Sequence, residues 1–172
     1  RGCDRATSVG DIGGRQRDVT WHTRRMHPAR LVIVCGPPGG ATVPVAERLA
    51  ERFAATRMAP DPWIERLGVD LGDAAVRARI VLLQAALTID LLRVGANVVA
   101  EAGVAPRAER DLLRRRAVDV GALVHLEVVD ATNHDGWQRP ADDELATYDP
   151  LPPVGAGERP GTASFPYGSW LP

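Results

Sequence analysis

The sequence predicts an α/β domain in which helices cover both faces of a parallel β-sheet. Three observations lead to this class. Short apolar-rich runs recur at residues 31–35, 97–101 and 123–129, as is typical of strands buried on both faces. Segments with the helical spacing of apolar residues separate these runs, and glycine or proline stands at most of the junctions. Alternating strands and helices imply crossover connections, and therefore a parallel sheet.

Each element follows from its local pattern. We predict strands at residues 31–35, 57–59, 97–101 and 123–129, and helices at residues 44–55, 63–67, 73–94, 106–118 and 141–147. Residues 60–62, Pro-Asp-Pro, are predicted to form a loop. The longest helix is predicted to pack through an apolar stripe, which consists of Val76, Ile80, Leu83, Leu87 and Leu91. Gly95 ends this helix, because glycine tolerates the left-handed conformation that commonly follows a helix.

The predicted domain spans residues 30–148. Residues 1–29 show no hydrophobic periodicity, and residues 149–172 are rich in proline and glycine. We predict that residues 1–29 are a disordered tail and that residues 149–172 are a linker or a flexible tail. The N-terminal stretch is also rich in arginine, which leaves open a basic arm that binds nucleic acid. The scattered charges favour the tail over the arm.

The composition is that of a globular protein, and the formal net charge of −1 gives no indication of a nucleic-acid tail or an acidic partner. No apolar run approaches about 18 residues, so no membrane span is predicted. There is no apolar stretch typical of a secretion signal, and the predicted location is the cytoplasm. All 21 basic residues are arginine. No lysine is therefore available for a phosphate site.

The most informative stretch is Leu31–Val45. An apolar strand ends at Gly36, a turn of glycines and prolines follows, and an amphipathic helix begins. This order predicts a phosphate-binding loop, in which backbone N–H groups and a helix N-terminus face an anion. The motif G-x-x-x-x-G-K-[ST] is incomplete, however. When Gly36 is its first residue, Ala41, Thr42 and Val43 stand where glycine, lysine and the Ser/Thr hydroxyl belong.

A resemblance to a known family rests on several further pieces in a fixed order. They are Gly36-Pro-Pro-Gly with Val45-Ala-Glu-Arg-Leu-Ala, Pro60-Asp-Pro-Trp-Ile-Glu-Arg-Leu-Gly, Leu92-Arg-Val-Gly-Ala-Asn-Val-Val, Arg107-Ala-Glu-Arg-Asp-Leu-Leu-Arg, and Gly121-Ala-Leu-Val-His-Leu-Glu-Val-Val-Asp-Ala. From about Leu31 to Leu151, the chain resembles the small bacterial P-loop ATP-binding proteins of the kinase-like AAA kind. These are related to zeta toxins, chloramphenicol phosphotransferase and polynucleotide kinase. The resemblance implies a three-layer P-loop NTPase-like fold that holds ATP and Mg²⁺.

The resemblance also implies roles for particular residues. The cofactor-binding candidates are the loop residues Gly36, Gly39, Gly40, Ala41, Thr42 and Val43. Asp61 follows the second strand, where the family places a substrate ligand or base; the alternative is a turn-forming aspartate. Glu101 ends the next long strand, where the family places a carboxylate beside the loop; the alternative is a solvated strand end.

Three departures weaken the expected chemistry. Thr42 removes a cation from the γ-phosphate, and Val43 replaces a metal ligand with hydrocarbon. About ten residues separate Asp130 from Ala141, too few for a lid helix with its pair of arginines. The loop amides remain, so we predict that ATP and Mg²⁺ binding are weakened. The loss of charge-assisted contacts at about 1.5–3 kcal/mol each corresponds to a tenfold to hundredfold or greater loss of affinity.

Other polar groups are weaker candidates. Arg107, Arg110 and Arg114 share one face of a predicted helix. They are available to phosphate, although a solvated face paired with Glu109 or Asp111 is the favoured interpretation. His134 near Asp130 and Asp135 does not form a persuasive ligand set, and we predict no metal site formed by protein residues alone.

Three functions remain open at this point. The first is an ATP-binding, kinase-like protein that transfers phosphate to an unknown small-molecule acceptor, with weak or lost catalysis. The second is a degenerate, non-catalytic binding or scaffold domain. The third is a nucleic-acid module that acts through the arginine-rich N-terminal stretch, and it is the least favoured.

Overall fold

The computed structural model describes residues 28–37, 42–103, 105–129, 137 and 139–153. The strands are β1 (Arg30–Cys35), β2 (Thr56–Met58), β3 (Val98–Gly103) and β4 (Leu123–Val128). The helices are α1 (Thr42–Arg52), α2 (Pro60–Arg66), α3 (Ala74–Arg93), α4 (Arg107–Asp119) and α5 (Asp142–Leu145). The four strands form a parallel sheet in the order β2-β3-β1-β4, so the predicted fold class is confirmed.

Successive residues of the central strand β1 enter two different cores. Leu31 and Ile33 pack in a cluster with residues of α3 and α4, whereas Val32 and Val34 pack in a cluster with α1. Every residue from Leu31 to Cys35 is buried. Helices on both faces leave no position of this strand for a polar side chain, which explains the unbroken apolar run.

The apolar stripe predicted for α3 is wrong in part. Leu83 and Leu87 are 60% and 38% exposed. The residues that α3 buries are Ile80, Gln84, Thr88, Ile89 and Leu92. The side-chain amide of Gln84 donates to the carbonyl oxygen of Ala59 at 3.0 Å, so this polar group is satisfied inside the core. Apolar spacing could not separate the faces because α3 carries apolar residues around most of its circumference.

The predicted loop at residues 60–62 is the first turn of α2. Pro60 stands at the start of the helix, where a missing N–H and a fixed φ angle cost nothing. Asp61 is therefore a first-turn carboxylate, near the positive end of a short helix. Within the described ranges, no helix combines the length and the hydropathy needed to cross a lipid bilayer.

The chain after α5 returns to the edge of the sheet. The N–H of Asp149 donates to the carbonyl oxygen of Val124, and the N–H of Val124 donates to the Asp149 carboxylate, both at 2.8 Å. Leu151 packs against the core on the α1 side. The domain limits at residues 30 and 148 stay a prediction.

Candidate functional site

The site is the edge of the sheet where the strands end. The N–H of Gly36 donates to the carbonyl oxygen of Gly103 at 3.1 Å, and the N–H of Val129 donates to that of Cys35 at 2.8 Å. The ends of β1, β3 and β4 are thus tied side by side. Ligands of open α/β sheets bind beyond this edge.

Gly36 is the residue that lets strand and helix approach each other. A Cβ atom at this position would lie 3.0 Å from Cγ2 of Thr42 and 3.1 Å from the carbonyl oxygen of Val129. Both distances are shorter than ordinary contacts, so the position excludes a side chain without rearrangement. The packing therefore explains the glycine that opens the predicted loop.

The structure describes three of the six predicted cofactor-binding residues, namely Gly36, Thr42 and Val43; Gly39, Gly40 and Ala41 lie outside the described residues. Helix α1 begins at Thr42. The N–H groups of its first turn have no partner within the helix and form its positive end. The side chain of Val43 is hydrocarbon, and the residue is 45% exposed. This helix start offers amides and a hydroxyl but no cationic side chain of its own.

Glu101 is engaged within the protein. Its carboxylate accepts a hydrogen bond from Nε of Arg57 on β2. Nη1 of the same arginine lies 3.0 Å from Oε1 of Glu47 on α1. The side chain of Glu101 is 11% exposed, so this arginine offsets much of the cost of burying the carboxylate. One guanidinium thus links β2, β3 and α1 near the predicted loop.

The backbone beside Glu101 is irregular. Val34 pairs with Glu101, but the next residue, Cys35, pairs with Gly103, so Ala102 is an extra residue in β3. Gly103 then adopts a φ angle of 52°. A bulge of this kind bends a strand and redirects the side chains at its end.

Asp61 has a different partner. Its carboxylate lies 2.6 Å from Nη2 of Arg77, which is in the first turn of α3. The Asp61 side chain is 58% exposed, so solvent screens this pair. Glu101 and Asp61 are the two predicted catalytic residues, and each is bound to an arginine from a separate element.

Cys35 ends β1 directly before Gly36. Burial is the largest cause that raises the pKa of its thiol, to about 11. The thiol is therefore protonated at neutral pH. A thiolate nucleophile is excluded at this strand end.

A buried ion pair that was not predicted joins Arg110 to Glu144. Nε and Nη2 of Arg110 donate to the two carboxylate oxygens at 2.7 and 2.8 Å, and both residues are 1% exposed. The solvated face favoured for the arginines of α4 is therefore wrong for Arg110. Arg107, by contrast, does lie near Asp111, at 3.6 Å, and it also contacts Asp143 at 2.8 Å.

The segment where the family places a lid helix lies mostly outside the described residues, and so do Asp130, His134 and Asp135. Among the described residues after β4, the helical segment is α5, which has four residues. Its Glu144 packs against α4 through Arg110. The predicted absence of lid arginines stays a prediction.

This chain is similar to chains of known structure. A chain in the structure of a Pnkp1/Rnl/Hen1 complex is 18% identical, with a TM-score of 0.51, over 77% of this chain and 43% of that one. An unliganded sugar kinase from Janibacter sp. HTCC2649 is 20% identical, with a TM-score of 0.42, over 74% and 82% of the two chains. The first similarity shows a shared fold, and this chain spans less than half of that protein. No curated protein matched the chain.

The chain also matches a protein family over most of its length. The family model AAA_33, described as an AAA domain, matches residues 31–147. This range runs from the second residue of β1 to just beyond α5 and includes the sheet edge with Gly36, Asp61 and Glu101. Because the match covers more than half of the chain, the protein belongs to this AAA domain family and is a P-loop kinase-like protein.

Proposed function

We propose that this protein is a nucleotide-binding, kinase-like domain in which phosphoryl transfer is weak or lost. One observation carries the proposal. Helix α1 begins with Thr42 and Val43 directly beyond the close approach at Gly36, where the family pattern has lysine and Ser/Thr. The sequence contains no lysine that could replace the missing one. Within this proposal, the protein is related to zeta toxins, chloramphenicol phosphotransferase and polynucleotide kinase.

The residues at the sheet edge fit a phosphate group. The space beside Gly36 is tight for a Cβ, so a side chain there would displace Thr42 or Val129. The first turn of α1 supplies N–H donors that have no partner within the helix, and the positive end of the helix dipole. Thr42 adds a hydroxyl group. These contacts favour the phosphates of ATP without a charged side chain.

The same residues do not fit Mg²⁺. Magnesium prefers oxygen ligands, and Val43 offers none at the position where the family pattern has a hydroxyl. The carboxylate of Glu101 is bound to Arg57, whose positive charge opposes a nearby cation. We therefore propose weak, largely magnesium-independent nucleotide binding.

Catalysis should be affected more than binding. Lysine and magnesium both stabilise the charge that develops in phosphoryl transfer, and ordinary kinases reach about 1–100 s⁻¹ with both in place. A helix start without either retains only part of that stabilisation. We expect turnover far below this range. Asp61 and Glu101 remain the proposed catalytic residues, Asp61 as a substrate ligand or base and Glu101 as the carboxylate beside the loop. The acceptor is proposed to be a small molecule.

Restoring the missing groups tests the proposal. The double substitution Thr42→Lys and Val43→Ser should tighten ATP binding at least about tenfold in titration calorimetry, because it adds a cation and a metal ligand. It should also make binding depend on magnesium. Arg48→Lys, on an exposed position of α1, is the matched control and should leave affinity unchanged. Equal affinity of the double variant and the original chain would refute the assigned register.

The second candidate is a non-catalytic scaffold domain without nucleotide. The internal pairing of Glu101 with Arg57 supports it, since the fold itself supplies the partner of this carboxylate. Thermal unfolding distinguishes the two. A scaffold shows the same melting temperature with and without ATP or ADP, whereas a nucleotide-binding domain is stabilised as the ligand exceeds its dissociation constant.

The nucleic-acid alternative predicts salt-sensitive binding that requires the arginine-rich residues 1–29. Residues 1–27 of that stretch lie outside the described residues. Binding that persists in the chain lacking residues 1–29 contradicts this alternative.

A further inference from the structure

The outer side of α3 carries an apolar surface that the fold leaves in contact with solvent. Leu82 and Leu83 are 71% and 60% exposed, Leu87 is 38% exposed, and Ala86 is also exposed. Their spacing of three and four residues places them side by side on the helix. We call these four residues the α3 patch. Contiguous apolar surface of this kind marks an interaction site more often than scattered leucines do.

Charges of opposite sign lie at the two ends of the α3 patch. Arg79 is exposed one turn before it, and Asp90 is exposed one turn after it. Both continue the same side of the helix at the same three- and four-residue spacing. Along the axis they are about 16 Å apart, with the apolar residues between them.

We propose that a second copy of this chain docks on the α3 patch, with the two α3 helices antiparallel about a two-fold axis. In such an interface the two surfaces are identical, so each charged or apolar residue of one copy must meet a complementary residue of the other. An axis near the middle of α3, between Gln84 and Ala85, satisfies this condition. It sets Arg79 against Asp90 of the second copy and Asp90 against its Arg79.

The same two-fold axis also pairs the apolar residues of the α3 patch. Leu82 lies opposite Leu87 of the second copy, and Leu83 lies opposite Ala86, so a large side chain meets a small one near the axis. A parallel arrangement would instead set Arg79 against Arg79 and Asp90 against Asp90. The order of cation, apolar residues and anion thus favours a second copy of the chain in one orientation.

The local ion pairs are compatible with this docking. Asp90 lies 2.8 Å from Arg93 on the same helix, and a carboxylate accepts more than one donor. Within the described part of the chain, Arg79 has no acidic partner. The helix is 20 residues long, about 30 Å, which provides a narrow contact. An interface smaller than the usual size is expected to associate in the micromolar range.

The first test compares two leucines of equal exposure. Leu83→Asp puts two like charges close to the axis, whereas Leu67→Asp alters a 61% exposed leucine just after α2, outside the patch. Sedimentation equilibrium of the full chain should show a monomer–dimer equilibrium between about 1 and about 100 µM. Leu83→Asp should weaken it at least about thirtyfold. Leu67→Asp should leave it unchanged.

The second test addresses orientation. Arg79→Glu and Asp90→Arg should each weaken the dimer about threefold to tenfold, because each sets two pairs of like charges together. The double variant with both changes should recover the original association, since the pairs are then reversed but complete. Circular dichroism confirms that each variant is folded.

Three results overturn the proposal. The first is a chain that stays monomeric at about 200 µM, where a micromolar dimer would be populated. The second is a dimer that Leu83→Asp and Leu67→Asp weaken equally, or that neither weakens. The third is a double charge variant that remains as weak as its parents, which excludes the antiparallel arrangement.

Discussion

Replacing Glu144 with glutamine should destabilise the protein far more than any other change of one carboxylate in α5. Glutamine keeps the shape of the side chain and removes its charge. Arg110 is 1% exposed and would keep its positive charge while the side chain that it contacts becomes neutral. An arginine does not lose its proton in a protein, so deprotonation cannot relieve the cost.

The magnitude follows from desolvation. Breaking a buried ion pair by removing one partner costs about 3–5 kcal/mol, because an uncompensated charge stays in the core. The carbonyl oxygen of Ala105 still accepts a hydrogen bond from Arg110 and reduces the loss, so the lower half of that range is expected. For a chain of this length, about 2–4 °C per kcal/mol gives a melting temperature lower by roughly 6–16 °C.

The assay is reversible urea unfolding followed by circular dichroism. Asp143→Asn is the matched control, because its pair with Arg107 is exposed and screened by solvent, so its loss should change the stability far less. The double change Arg110→Met with Glu144→Leu should lie much closer to the original stability than Glu144→Gln does, since it removes both charges. A cost below about 1 kcal/mol for Glu144→Gln would refute the reasoning, because a desolvated Arg110 cannot lose its partner so cheaply.

Three further predictions concern the sheet and its edge. Gly36→Ala should cost about 1–3 kcal/mol by overpacking, whereas Gly72→Ala, with its nearest atom at 3.4 Å, should be nearly neutral in the same urea titration. Arg57→Met should cost about 1–3 kcal/mol in that titration by leaving Glu101 without its partner, and a change below about 0.3 kcal/mol contradicts this. Burial lowers the pKa of His125 below its ordinary value of 6.5, so the unfolded chain binds the proton more readily. Stability should therefore decline as pH falls below about 6.5, with a smaller decline in His125→Gln, and equal pH profiles of the two proteins would contradict the assignment.

The fold was largely predictable because its signals are local. The strand at Leu31 is apolar on both faces and the strand at Leu123 is mostly apolar, and Gly95 and Gly121, with φ angles of 83° and 80°, follow α3 and α4 where the chain turns back to the sheet. Each of these patterns is satisfied within one element, so the sequence alone displays it. The parallel order of strands then follows from the crossovers.

The partners of the charged residues were not predictable, because they depend on packing between distant elements. Arg110 and Glu144 are 34 residues apart, and Arg57 and Glu101 are 44 apart. In the sequence, the nearer acids Glu109 and Asp111 are the obvious partners for Arg110. The exposed side of α3 was missed for the same reason, since leucines at core spacing do not reveal which side meets the sheet.

The charges at the sheet edge support the proposal that the backbone of a nucleotide site persists here without its chemistry. The close approach at Gly36 depends on packing against Thr42 and Val129 and requires neither a lysine nor a serine in α1. The nearly buried carboxylate of Glu101 needs a positive charge nearby, which Arg57 supplies, and the exposed carboxylate of Asp61 pairs with Arg77. Once Arg57 neutralises Glu101, a metal ion adds little stability and must compete with a guanidinium for the same oxygens. Restoring lysine and serine in α1 should therefore recover nucleotide affinity before it recovers turnover.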